Sequence, residues 1–156
     1  MYETSFWEGT GAALISVFLG VAFTYFLSTR SEKRRLSSYK SSLRAEIDLC
    51  KIMSEEYNKQ DAPQAPSWRM PTHAWTNSYP ELLSLGVMTQ EQVTALNEIY
   101  VEINALNLGL DQINDARLIA RGAGNIMQEE ADRNKLKASK IISRHQKALD
   151  ALSSIK

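Results

Sequence analysis

The sequence predicts an all-α protein: an N-terminal transmembrane helix continuous with a cytoplasmic up-down helical bundle. Three observations predict it. Gly9 to Ser28 forms twenty consecutive uncharged positions. From Ser31 onward, three long stretches carry apolar residues at steps of three and four, the helical period. No run of β-branched residues alternates between turn signals, as strands would require.

At about 1.5 Å per residue, Gly9 to Ser28 is long enough to cross about 30 Å of hydrocarbon. Leu14, Ile15, Val17, Phe18, Leu19, Val21, Phe23, Phe26 and Leu27 surround its axis, whereas a helix of a small soluble core keeps one polar side. A cleaved signal would open on basic residues and leave through an A-x-A-like site. Here Glu3 and Glu8 precede the stretch and FLSTRS follows it. The expectation is a retained transmembrane helix over 9–28, with 1–8 a short external head. Phe6 and Trp7 would sit at the outer headgroups and Tyr25 near the other boundary.

Arg30, Lys33, Arg34, Arg35, Lys40 and Arg44 follow the span, and no Lys or Arg precedes it. The charge bias places the N-terminus outside and the body in the cytoplasm of an inner (cell) membrane. The cluster Arg30, Lys33, Arg34 and Arg35 attracts anionic inner-leaflet lipid, at about 1 kcal/mol per basic group near the surface. Within the span, Ala12, Ser16, Gly20, Thr24 and Ser28 recur every fourth residue as a ridge of small side chains. Such ridges let membrane helices approach closely, so the chain is expected to form homo-oligomers. The span holds no ionisable residue that could serve a proton relay.

The cytoplasmic body, 29–156, begins with a helix over about 31–60 carrying Leu36, Tyr39, Leu43, Ile47, Cys50, Met53 and Tyr57 on one side. Asp61 to Pro71 ends it, because Pro63, Pro66 and Pro71 cannot propagate a helix. A short helical insertion over about 72–86 follows, with Thr72 as N-cap, Trp75, Tyr79, Leu82, Leu83 and Leu85 as apolar contacts, and Gly86 as its end. Thr89-Gln-Glu-Gln92 is a capping box. It opens a helix over about 90–120 whose seam is Leu96, Ile99, Ile103, Leu106, Leu110 and Ile113, widened by Val93 and Tyr100. Asn97, Asn104, Asn107 and Asn114 interleave with this seam, and buried asparagines can fix register. Gly122-Ala-Gly124 breaks the run as an antiparallel hairpin. The last helix, about 125–154, carries Ile141, Ile142, His145, Ala148, Leu149, Leu152 and Ile155.

The composition narrows the chemistry. Eighteen basic and eighteen acidic residues cancel, and no nucleic-acid partner is expected. Cys50 is the only cysteine, which excludes an internal disulfide and a Cys-rich zinc site. His73 and His145 are the only histidines, and no H-E-x-x-H, P-loop, G-x-S-x-G or G-x-G-x-x-G occurs. Helical ribonucleases of the HEPN group place four to six residues between an Arg and a following His. Here Arg69-Met-Pro-Thr-His73 is one residue short and broken by proline, and Arg133 stands twelve residues before His145. His145 is read as a packed, hydrogen-bonded residue, and Glu129, Glu130 and Asp132 as a solvated acidic helix start. No catalytic, cofactor-binding or metal residue is assigned. Trp68 and Trp75, flanking the proline stretch, are read as filling the open end of the bundle, with a partner contact as the alternative.

Ala74-Trp75, the cluster Leu82-Leu83-x-Leu85 and Tyr100-x-x-x-Asn104 follow one another in an order that resembles a loose class of uncharacterised single-pass prokaryotic membrane proteins. In these a membrane helix and a long helix precede a short Trp-containing segment and a Tyr-x-x-x-Asn helix. In layout the chain also resembles the small membrane accessory proteins of RNA-targeting CRISPR systems, which form rings that permeabilise the membrane around a HEPN-like body. The expected function is a non-enzymatic, self-associating membrane protein that presents its bundle to a cytoplasmic protein partner. An oligomeric pore is the alternative, and a membrane-tethered helical nuclease a third reading.

Overall fold

The structure, a computed structural model, describes residues 4–59, 68–119 and 124–155, with side chains at 19, 22–59, 68–116 and 128–155. Four helices account for it: α1 (Thr4–Lys59), α2 (His73–Ser84), α3 (Gln90–Ile119) and α4 (Gly124–Ser154). Among the described residues there is no strand, so the protein is all-α. The chain divides into two compact units, Met1–Ser38 and Tyr39–Lys156.

In the first unit, the large side chains of Leu19, Phe23, Tyr25, Phe26 and Leu27 are exposed, as are Arg30, Lys33, Arg34 and Arg35. The Thr29 hydroxyl donates to the Tyr25 carbonyl at 2.9 Å. Among the described residues, no helix is long and apolar enough to cross a membrane. The side chains of 9–18, 20 and 21 within the expected span lie outside the described residues, as do those of the head 1–8. Ala12, Ser16 and Gly20 of the small-residue ridge lie there too, while Thr24 and Ser28 are exposed.

In the second unit, cross-helix pairs fix the helix directions. Gln92 pairs with Ser154, Glu98 with Lys147, and Glu102 with Arg144, so α4 descends as α3 rises. Lys40 pairs with Ile155, Asp48 with His145, and Asn58 with Ser139, so α1 is antiparallel to α4. Along 68–84, Met70 meets Asn107 and Tyr79 meets Asn97, while Pro71 meets Cys50 and Ala74 meets Glu46. That segment therefore runs down between two rising helices, α1 and α3. The order is up-down-up-down, the arrangement short connections favour.

The core follows the period-3.6 pattern. Leu96, Ile99, Ile103, Leu106, Leu110 and Ile113 of α3 are all buried, against Leu43, Ile47, Cys50 and Tyr57 of α1 and Ala138, Ile141, Ala148, Leu149 and Leu152 of α4. Each fully buried Leu or Ile contributes about 1.5–3 kcal/mol relative to exposure. The exposed ion pairs, such as Arg44 with Asp48 or Lys147 with Glu98, give at most about 1 kcal/mol each, so apolar burial decides the fold. Val93, Ile142, Met53 and Tyr39 are half-buried at the edges.

Helix ends match their sequence signals in two of three cases. Thr89 N–H donates to Gln92 Oε1 at 2.7 Å, and Gln92 N–H returns to Thr89 Oγ1 at 3.3 Å, completing the capping box of α3. Gly86, at φ +64°, takes the left-handed turn after α2 that only glycine adopts without cost. Thr72 is the exception: it stands at the N-cap of α2 but its side chain makes no capping bond. The acidic start of the last helix is corrected at one of its three residues, since Glu129 and Asp132 are exposed. That helix begins at Gly124, and Glu130, rather than being solvated, is buried with Lys137 at 3.2 Å and Arg133 at 3.3 Å. The Asp61–Ser67 part of the proline stretch and Gly122 lie outside the described residues.

Candidate functional site

The most concentrated polar arrangement lies where α1, α2 and α3 meet, and its centre is Glu46. Its position on α1 shares the inward face with Leu43, Ile47 and Cys50, and it is buried. Glu46 Oε2 accepts the Ala74 N–H at 2.7 Å, and Oε1 accepts the Trp75 N–H at 3.0 Å. Oε1 also accepts the Tyr100 hydroxyl at 2.8 Å. The first amides of α2 have no partner within their own helix, and here a carboxylate from another helix takes them. An acceptor of negative charge at that end also opposes the helix dipole. This is why Thr72 is free of the capping role.

Three further ties hold the segment. Asn107 Oδ1 accepts the Met70 N–H at 2.7 Å, and its Nδ2 donates to the Met70 carbonyl at 3.0 Å. One amide thus satisfies both backbone groups of a buried residue in non-helical chain, which an alanine would leave unpaired. Tyr79 donates to Asn97 Oδ1 at 3.0 Å, and Cys50 Sγ to the Pro71 carbonyl at 3.5 Å. Trp75 stacks between Tyr79 and Tyr100, with ring centroids at 3.8 Å and 4.1 Å. It therefore packs within the bundle, while Trp68 is exposed on the preceding segment beside the Arg69–Asp111 pair.

The setting holds the thiol of Cys50 and the phenols of Tyr79 and Tyr100 neutral. Burial, and after it the nearby charge of Glu46, push the Cys50 thiol up to about 12. Burial, then the same charge, raises Tyr100, and burial raises Tyr79. The unfolded chain titrates cysteine near 8.5 and tyrosine near 10. Below about pH 8.5 the stability these neutral groups contribute is complete. As the pH climbs toward 12 the unfolded state binds fewer protons than the folded one, and stability falls. Cys50→Ala is expected to make the fall between about pH 9 and 12 shallower, by up to about 1.4 kcal/mol per pH unit. Urea midpoints measured across that range test it; an unaltered slope would show that the thiol is not held neutral by its surroundings.

Other sequence-selected residues lie apart from this centre. His145 Nε2 is 2.7 Å from Asp48 Oδ1 in an α1–α4 contact. His73 is exposed beside Asn77, Arg133 pairs with Glu129 and Glu130, and Arg44, 3.9 Å from Asp48, shares that carboxylate with His145. Asn104 is exposed and Asn114 half-buried, unlike the buried Asn107. Among the described residues, no group of three or more His, Cys, Asp or Glu side chains is placed to hold a metal ion. The sequence reading missed Glu46 and Met70 and, apart from this centre, the contact of Gly109 of α3 with the buried Asn134 of α4. Glu46 and Asn134 stand in phase with apolar faces, a signal available from spacing. Met70 lies in non-helical chain, where period gives no signal.

No protein-family model, no curated protein and no solved structure matches the chain.

Proposed function

We propose that the protein is a non-enzymatic, single-pass membrane protein that self-associates and presents its helical bundle to a cytoplasmic protein partner. The observation that carries this reading is the uncharged stretch Gly9 to Ser28 followed at once by Arg30, Lys33, Arg34 and Arg35. It is supported by the exposure of Leu19, Phe23, Phe26 and Leu27, large apolar side chains that water does not favour. The basic cluster, itself exposed, suits anionic inner-leaflet lipid. The ridge Ala12, Ser16, Gly20, Thr24 and Ser28 suits parallel pairing of two copies. The bundle then stands as the recognition module on the cytoplasmic side.

Membrane fractionation and crosslinking of the full chain in detergent test the reading. The protein should require detergent for extraction and should crosslink to itself. Gly20→Leu, which blocks close approach of the backbones, is expected to weaken self-association about 3- to 30-fold, the scale of a membrane-helix contact. A protein that remains in the aqueous fraction would overturn the proposal, and an oligomer unchanged by Gly20→Leu would remove the ridge from it.

A further inference from the structure

We propose that residues 68–84 form a detachable arm, which leaves the α1–α3–α4 bundle as a unit and uncovers Glu46, Cys50 and Tyr100 together. The inference does not depend on the membrane reading. Its first support is that α2 cannot hold itself. A twelve-residue helix is marginal in isolation, Pro80 removes one of its amide donors, and Thr72 makes no capping bond.

The second support is the kind of attachment. The arm is held by side chains reaching from its neighbours: Glu46 on Ala74 and Trp75, Asn107 on Met70, Asn97 on Tyr79, and Cys50 on Pro71. Among the described residues, all of these come from α1 and α3, and none from α4. On release, water can satisfy each of these groups, so the loss is modest. The other three helices hold one another through Leu43, Ile47, Ile99, Ile103, Ile141 and Leu152, for which water is no substitute. The arm's own apolar attachment is the smaller set Met70, Ala74, Tyr79 and Leu82, all buried, with Trp75 stacked on Tyr100, while Leu83 is exposed.

The third support is the hinge. Gly86 carries the left-handed φ of +64°, and among the described residues nothing stands within 4 Å of its Cβ position, so no side chain packs over the turn after α2. Short local elements with fewer apolar contacts than the rest of the core are the ones that open below the global unfolding free energy.

Cys50, the only cysteine, is a ready reporter because its thiol is buried beneath Pro71. The test is maleimide labelling of Cys50 in the full chain in detergent, as a function of urea, beside hydrogen exchange read by mass spectrometry. Labelling of the unaltered protein should be faster than global unfolding permits. Its dependence on urea should be shallower than that of global unfolding, because opening the arm exposes only part of the buried surface. Amides of 73–84 should exchange together, ahead of those of 90–116. Asn107→Ala should speed labelling about tenfold through loss of the Met70 bonds. Ile141→Ala should lower global stability and leave labelling in native buffer unchanged. Labelling with the full urea dependence of global unfolding would overturn the proposal, as would equal acceleration by Ile141→Ala and Asn107→Ala. If Ile141→Ala fails to fold, the urea dependence and the order of amide exchange in the unaltered protein decide the matter.

Discussion

Gly109→Ala is expected to destabilise the protein by about 2–3 kcal/mol, against the direction that helix propensity alone dictates. Gly109 lies inside α3, where alanine would ordinarily gain about 1 kcal/mol. The position is closed, however, by Asn134 of α4, whose side-chain amide occupies the place where a Cβ would stand. Asn134 is fully buried and its Oδ1 accepts from Lys137 at 3.0 Å, so it has little room to turn aside. Overlap with a buried, tethered group outweighs the propensity gain. The double variant Gly109→Ala with Asn134→Ala should recover most of the loss, since it removes both the overlap and the buried Nδ2, which has no hydrogen-bond partner among the described residues. Urea denaturation of the four proteins of this cycle measures the coupling. Additive changes, with Gly109→Ala neutral or stabilising, would mean that α3 and α4 do not meet at this pair.

That pair also illustrates how far spacing carries. The seam of α3 was readable because burial recurs with the helical period, and every one of its six residues is buried. Helix ends at Thr89 and Gly86 were readable because capping chemistry is local: the partner lies three residues away or is the backbone itself. At α2 the start was placed at Thr72 as observed, but its capping acceptor was missed for the complementary reason. Its acceptor is Glu46, twenty-eight residues upstream, and no local signal distinguishes a carboxylate that caps a distant helix from one that faces water. Gly109, in the middle of an otherwise regular α3 pattern, was passed over, and only the packing of α4 shows the close approach and that the visitor is Asn134. The same limit applies to Glu130, whose neutralising partners Lys137 and Arg133 are near in sequence yet whose burial depends on tertiary placement.

Glu46→Ala should produce the largest loss of any single change at the junction of α1, α2 and α3, about 3–4 kcal/mol. Three donors lose their acceptor at once: the amides of Ala74 and Trp75 and the hydroxyl of Tyr100. Each buried donor left unpaired costs about 1–3 kcal/mol, and relief from burying a carboxylate returns part of the sum. Glu46→Gln separates shape from charge. Its one carbonyl oxygen can keep Trp75 and Tyr100, but its NH₂ would then face the Ala74 N–H, donor against donor, so the loss should be intermediate. Tyr100→Phe in the Glu46→Ala background should cost less than in the unaltered protein, because the hydroxyl has already lost its partner. Trp75, stacked between Tyr79 and Tyr100, supplies a local readout: its emission should shift as α2 loosens, while the far-ultraviolet helix signal, dominated by α1, α3 and α4, changes little. A loss below about 1 kcal/mol for Glu46→Ala, with Trp75 emission unmoved, would show that the carboxylate is a bystander. In that case apolar contacts would anchor α2, and the ordering of this helix would have to follow from Leu82 and the aromatic stack alone.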